Sequence, residues 1–439
     1  MFNKLKKKYK ELDEHTSEVI YKSIGAIFAR GSGMLIALGL SVFLGRTIGA
    51  EGLGIISLSN RIASLALIFC LLGVSPVLVK NVAIGYNLKD WKTINSYMHT
   101  SYVFNAALSI IVVVILILII PWLTEVVFKE PQLKVPLIIA IVALVPQTFS
   151  RIFSSGINGF RKIWQSNLVD NTLSVGIVSL IILIFYYSGN SVDVINVAIA
   201  YGISRIIVSI TMGVYWKKIF KTKDKPELIF KDLIKPAIPL FWVSMSSVIA
   251  ANADAIMLGW LGDLKQVGLY TVPVVIAMLT SFFLKVSNSV ISPKLAGLYA
   301  EGKKAEMEKM VQQTTKGLIF IAFVPLLIFI IWGKQILGLW GEEFVVSYPI
   351  LLILSIGQFF NISTGCSGMI LIMCGYEKTH GYISIIFLVL YIPLNYVLIL
   401  NHGAIGAAIA AAASMIGANI VKLIMSNNKT GISTLPIFK

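Results

Sequence analysis

Charge is what this chain has least of. Asp, Glu, Lys and Arg make up 13% of its 439 residues, about half the share of an average soluble domain. Hydrophobic residues reach 57% and the mean hydropathy is +0.84, which together exclude a soluble globular domain of this length. Cysteine is also scarce: Cys70, Cys366 and Cys374 all fall within apolar runs, and three cannot all pair. Neither a disulfide framework nor a thiolate zinc site is indicated. His15, His99, His380 and His402 lie in loops or at span ends, with no partner at metal-ligand spacing. The absence of a P-loop lysine motif argues against ATP as the direct energy source. Carboxylate pairs suited to acid and base chemistry are missing from the apolar interior. Glu342 and Glu343 are adjacent, but in a loop where a solvated, structural role is expected. The sequence therefore calls for no cofactor, no metal and no catalytic residue.

What the chain does have is apolar length. A helix needs roughly 20 apolar residues to cross a bilayer, and candidate spans are centred near residues 35, 68, 110, 147, 177, 205, 248, 280, 323, 358, 391 and 414. They divide as six plus six, and the halves echo one another. Ser75-Pro76 is matched by Ser292-Pro293 at an offset of 217, and Gly159-Phe160-Arg161-Lys162 by Gly375-Tyr376-Glu377-Lys378 at 216. Gly45 to Gly54 resembles Gly259 to Gly268 around an offset of 213, with one or two single-residue gaps. Preserved order and spacing point to duplication and a two-lobed membrane transporter.

The first span begins near Ile24, too long for a cleaved signal peptide and without its small-residue exit, so the amino terminus is expected to stay. Lys and Arg then set the orientation, because cytoplasmic loops retain them. One side holds Lys4 to Lys22, Lys80, Lys89, Lys92, Arg161, Lys162, the run Lys217 to Lys235, Lys294 to Lys316, and Lys378. The other holds Lys129, Lys134, Lys265 and Lys334 beside five acids. Both termini are thus expected in the cytoplasm. The formal net charge of +16 reads as topology and attraction to anionic membrane lipids, not as nucleic-acid binding. Phe2, Leu5, Tyr9 and Leu12 recur at helical spacing, so this basic stretch either lies along the membrane or serves only as a positive-inside determinant. The expected organisation is a basic amino terminus (1–23), a six-helix lobe (24–216), a cytoplasmic linker (217–235), a second six-helix lobe (236–425) and a cytoplasmic tail (426–439).

Six ionisable residues fall inside spans: Arg30, Arg61, Arg151, Arg205, Asp254 and Lys285. Each costs at least about 2.5–3.5 kcal/mol at mid-bilayer and so requires a reason. Met278, Ser281, Lys285, Asn288 and Ser292 form one polar stripe on a helix, and shifting it by 217 gives Arg61, Ser64, Ile68, Leu71 and Ser75. Arg61 and Lys285 are thereby expected on equivalent faces lining one cavity. A shift of 213 sets Arg30, Met34, Ala37 and Ser41 against Val243, Ser247, Ala250 and Asp254. Arg61 and Asp254, each about six residues or roughly 9 Å from the outer face, become candidate ion-pair partners. Arg30 and Arg151 lie near cytoplasmic ends, where a long side chain can snorkel. Arg205 is open between a backbone-carbonyl bond and a ligand role. A cluster of interior cations suits a phosphate or diphosphate, to which Arg gives bidentate bonds and Lys a point charge.

The stretch Phe43-Leu44-Gly45-Arg46-Thr47-Ile48-Gly49-Ala50-Glu51-Gly52-Leu53-Gly54, with Gly268-Leu269-Tyr270 in the second half, resembles the signature of the polysaccharide-transporter (Wzx-type flippase) branch of the multidrug/oligosaccharidyl-lipid/polysaccharide exporter superfamily. Leu53 stands where that family usually has an aromatic residue, and Ile56 where it has tyrosine. The resemblance covers nearly the whole chain. It implies an all-α polytopic membrane protein: twelve transmembrane helices in two pseudo-symmetric six-helix lobes around a central cavity, a MATE-like fold. It also implies a flippase moving a polyprenyl-diphosphate-linked oligosaccharide by alternating access, in surface polysaccharide biosynthesis at the cell membrane. By that resemblance Arg30, Arg61 and Lys285 bind substrate; Ser281 and Asn288, from the polar stripe, and Arg205, from its place inside a span, are further candidates. Asp254, with Arg61, is the candidate for ion coupling or gating, H+ or Na+ being the possible ions. Polysaccharide polymerase or chain-length proteins are candidate partners.

Two alternatives remain at this stage. A multidrug antiporter of the same fold would favour cavity carboxylates, yet interior cations outnumber interior anions five to one. A polytopic polyprenyl-sugar transferase would present a catalytic base or groove in a large external loop, and no loop here is long enough.

Overall fold

In the computed structural model the described residues are 14–168, 172–189 and 191–435, and of residues 14–30 only the helical course is described. Among them all regular structure is helical, with no strand. The helices are α1 Glu14–Leu71, α2 Val74–Leu88, α3 Trp91–Trp122, α4 Lys134–Val142, α5 Leu144–Gly159, α6 Ile163–Leu168, α7 Ser174–Tyr187, α8 Val194–Ile219, α9 Phe230–Leu261, α10 Leu264–Ala300, α11 Lys304–Gly338, α12 Tyr348–Ser363, α13 Ser367–Met373 and α14 Glu377–Thr430. Nine of the described helical segments are long and apolar enough to cross a membrane. Two of these bend into separate legs, at Gly49 in α1 and Gly403 in α14, and α7 is a shorter apolar helix. Separating the legs and adding α7 is consistent with twelve spans. The second leg starts at Ala50, earlier than a span centred near residue 68 implies.

Several helix starts follow from single carboxylates. Asp90, Asp193 and Asp263 accept the backbone N–H of Thr93, Asn196 and Gln266 at 3.0, 2.7 and 2.7 Å, satisfying donors that the first turn leaves free. Asp90 also accepts the Thr93 hydroxyl, and these bonds hold its carboxyl below the usual range.

The chain divides into two compact units. One comprises α1 as far as Leu40, Ile62–Leu123 and Gln132–Ser247; the other comprises Ser41–Arg61, Thr124–Pro131 and the chain from Val248. In the first, α2, α3, α5, α8 and the start of α9 share a core of Leu78, Ile94, Met98, Ile152, Met212, Trp216 and Leu233. Rings cap that core: Phe160 and Trp216 meet edge to face at 5.3 Å, and Trp216 stacks on Phe220 at 5.1 Å. The polar segment between α8 and α9 is stapled along α3. Asn95 donates to the Asp224 carbonyl at 2.7 Å, while the Ser96 and Thr100 hydroxyls accept the N–H groups of Glu227 and Ile229 at 3.0 and 3.1 Å.

The second unit contains the join between the two legs of α1. Gly49 adopts φ 67° and ψ −174°, a backbone region open essentially to glycine alone. The Ala50 N–H donates to Glu343 Oε1 at 2.8 Å, so this acid, expected to be merely solvated, caps the second leg. That leg crosses α10 backbone to backbone. A Cβ on Gly54 would fall inside the Leu264 carbonyl, and one on Gly268 inside the Ala50 carbonyl. Ser57 and Thr271 share a hydroxyl hydrogen bond of 3.0 Å across 214 residues. Gly54 and Gly268, and Ala50 and Leu264, are also 214 apart. Such reciprocal contact is what a local two-fold axis between repeats requires. With that register Arg61 corresponds to Val275, so the uniform 217 used to align its stripe with that of Lys285 is three residues out at this crossing.

Asn105 is fully buried in the first unit and donates to the carbonyls of Cys70 and Leu71 at 2.8 and 3.3 Å, closing the end of α1. Asn105→Ala is expected to lower stability by about 1–3 kcal/mol, the penalty for leaving buried carbonyls unpaired, measured as earlier thermal unfolding in detergent.

Candidate functional site

Arg61 sits one turn beyond Ser57, at the edge of the α1–α10 crossing. Its Nε donates to Ser57 Oγ at 3.3 Å and its Nη1 to the Ala251 carbonyl of α9 at 3.1 Å. Asp254 Oδ1 stands 3.7 Å from Nη1, with the two side chains 16% and 13% exposed. That separation is electrostatic attraction rather than a hydrogen bond, so the structure brings together the pair whose matching depth was read from sequence. The other carboxylate oxygen, Oδ2, accepts the Tyr270 hydroxyl at 2.6 Å. Tyr270 is fully buried; it fixes the carboxylate and leaves the guanidinium the looser partner.

Behind Asp254 lies a cavity of about 330 Å³ within the second unit, its polar wall formed by Asp254, Tyr270, Gln358, Tyr391, Ser414 and Lys422. A chain of amides continues this wall: Asn361 donates to Gln358 at 3.2 Å and Asn419 to Asn361 at 3.0 Å. Sequence reasoning missed Lys422. It lies late in the last span, after a run of alanines, where a lysine reads as an ordinary span-end charge. Tyr270 was missed too, since a tyrosine in an apolar run carries no signal of its own.

The remaining expected residues distribute as follows. On α10, Ser281 is buried and donates to the Met278 carbonyl at 2.8 Å. Lys285 is exposed, and Asn288 is half-buried with an Oδ1 that finds no hydrogen-bond partner among the described residues. All three share the second unit with Arg61 and Asp254. Arg205 and Arg151 are half-buried on α8 and α5 in the first unit, and both are engaged in interactions. The Arg30 side chain lies outside the described residues. No cluster of three metal-ligating side chains occurs among the described residues.

A family model described as "Polysaccharide biosynthesis protein" matches residues 20–299, more than half of the chain. The protein belongs to this family. A second model, MatE, matches residues 239–397 of this polysaccharide-family member. Among curated relatives, the "Putative O-antigen transporter" of Shigella flexneri is 22% identical over 406 residues, 89% of this chain and 94% of its own. The capsular polysaccharide biosynthesis protein CapF of Staphylococcus aureus is 26% identical over 249 residues, 55% of this chain and 63% of its own; the match thus spans somewhat less than two thirds of CapF. The lipid II flippase MurJ, in an inward closed conformation, superposes with a TM-score of 0.72 at 15% identity, covering 92% of this chain and 87% of MurJ. The fold is therefore that of the multidrug/oligosaccharidyl-lipid/polysaccharide exporter superfamily, and the chain is a multi-pass membrane transporter rather than an enzyme.

In this family member, a double-mutant cycle with Arg61→Gln and Asp254→Asn should return a coupling of about 0.5–3 kcal/mol, the range for residues in contact. Thermal unfolding in detergent measures it, and strict additivity would dissolve the pair.

Proposed function

We propose that this protein is a flippase that carries a polyprenyl-diphosphate-linked oligosaccharide from the cytoplasmic to the outer leaflet of the cell membrane, with both termini in the cytoplasm. The observation that carries the reading is Arg61. An interior guanidinium held by a carbonyl at 3.1 Å and a carboxylate at 3.7 Å can exchange those partners for a diphosphate, which offers it shorter, bidentate bonds. On α10 Lys285 supplies a second charge, Asn288 an amide N–H donor and Ser281 a hydroxyl, with Arg30 and Arg205 as further cations. The two six-helix halves act as lobes joined by the 217–235 linker, and polymerase or chain-length proteins downstream would receive the flipped lipid.

Asp254 serves as coupling residue in the same scheme. When H+ or Na+ reaches its carboxylate through the polar cavity, its hold on Arg61 weakens, the crossing of Ala50 to Ser57 over Leu264 to Thr271 parts, and the outward side opens. The named activities of the relatives, O-antigen transporter and lipid II flippase, support this class of substrate. An antiporter for cationic drugs has the MatE match over residues 239–397 in its favour, but a cation cargo would be repelled by Arg61 and Lys285.

In proteoliposomes holding a labelled polyprenyl-diphosphate oligosaccharide, Arg61→Ala and Lys285→Ala should each abolish or strongly reduce translocation while membrane insertion persists, and Arg61→Lys should retain part of it. Wild-type transport by both alanine variants would sink the cavity assignment. Cysteines at Ser57 and Leu258, of which Leu258 is fully buried, report on the gate. Asp254→Asn should raise their labelling from outside and weaken dependence on an ion gradient; unchanged labelling across a full gradient would rule the gate out.

A further inference from the structure

Outside the Arg61 region, the first unit holds two hollows that meet at one side chain. The first, about 600 Å³, is walled by Tyr102, Phe149, Phe153, Trp216 and Phe220, with Lys217 and Lys221 on its rim. The second, about 570 Å³, is an apolar groove between α4–α5 and α8, lined among others by Pro146, Phe149, Ile203 and Ile206. Phe149 is a wall of both.

Three features mark the first hollow as built for a ligand. Its wall is rigid: Tyr102 packs on Phe153 and Phe149 with centroids 5.4 and 6.4 Å apart. The Tyr102 hydroxyl is buried without a hydrogen-bond partner among the described residues, although a buried donor normally finds one. The rim is fixed as well, because the stapled Asp224–Ile229 segment follows directly on Lys221 and Thr222, and Asn95, itself a lining residue, donates to Asp224. The exposed lysines therefore stand over an aromatic cup that shares its Phe149 wall with a groove without charge.

We propose that these two hollows form a docking site for the polyprenyl-diphosphate end of the substrate before it reaches Arg61. The diphosphate sits between Lys217 and Lys221 and accepts the Tyr102 hydroxyl, and the isoprenoid chain passes Phe149 into the groove between α5 and α8. A single apolar groove on the far side of Phe149 fits a single-chain lipid better than a two-chain glycerophospholipid, and a turn of the Phe149 ring would join it to the cup. The proposal rests on the flippase reading for its ligand class and lies on the lysine-rich side, where the lipid-linked sugar would be collected.

Native mass spectrometry of the purified full-length protein in detergent tests it, with undecaprenyl diphosphate as probe and phosphatidylglycerol as competitor. Lys217→Gln with Lys221→Gln should raise the Kd by at least about tenfold, the effect of losing even one of its two charge-assisted contacts. Ile206→Trp should do the same by filling the groove with both charges left in place. Circular dichroism checks that each variant keeps its helix content. Wild-type binding that neither variant alters would overturn the site and leave the flippase reading standing. Failure of the wild type to bind undecaprenyl diphosphate at all would remove both. Equal affinity for phosphatidylglycerol, with the same losses in the variants, would reduce the site to a general anionic-lipid surface and overturn it as well.

Discussion

Everything placed around Arg61 depends on two backbones being allowed to touch. At Gly54 and Gly268 the second leg of α1 and the start of α10 approach until neither position has room for a methyl group. In a bilayer the gain comes from packing and from hydrogen bonds made at short range, since lipid tails are as apolar as the helices themselves. The approach lets two small hydroxyls, Ser57 and Thr271, bond across the crossing. One turn further on, Arg61 can reach the Ala251 carbonyl and Asp254 of α9. Move the backbones apart by a side chain and the Ser57–Thr271 bond, made across that crossing at 3.0 Å, is the first to go.

The symmetry of the crossing and the asymmetry of its charges are separate facts with separate uses. Ala50, Gly54 and Ser57 find repeat-related partners, so duplication supplied the joint. Arg61 and Asp254 do not: at the register of the joint Arg61 corresponds to an apolar Val275. A symmetric crossing thus carries an asymmetric ion pair. A neutral hydroxyl pair on the axis is indifferent to protonation and salt, whereas a 3.7 Å ion pair beside it responds to any competing ion.

Much of the architecture was legible because a hydrocarbon environment imposes a coarse code. Apolar length marked the spans, and an intramembrane charge stood out against its neighbours, so that matching depth alone paired Arg61 with Asp254. Other features carry no such contrast. The stapling of the segment after Lys221 depends on Asn95, Ser96 and Thr100, polar residues near a helix start that read as routine surface. Lys422 lines the same cavity as Asp254, but its position late in a span disguises it. The three-residue slip between the echo at Ser75-Pro76 and the crossing at Gly54 was invisible because repeats were aligned by motif, and contacts alone fix local register. Arg205 and Lys285 were recognised as unusual, yet sequence gives no rule for which interior cations meet.

The break at Gly49 has a bearing on how genetic data for such a protein are read. Its backbone angles exclude any side chain, and Gly54 and Gly268 exclude one by space, although a glycine offers no chemistry to a cargo. A saturation library scored for function would therefore display these three positions as intolerant peaks beside any ligand contact. Intolerance mapped along this chain reports where helices must bend and touch as loudly as where a substrate is held, and only variants that preserve the joint can tell the two apart.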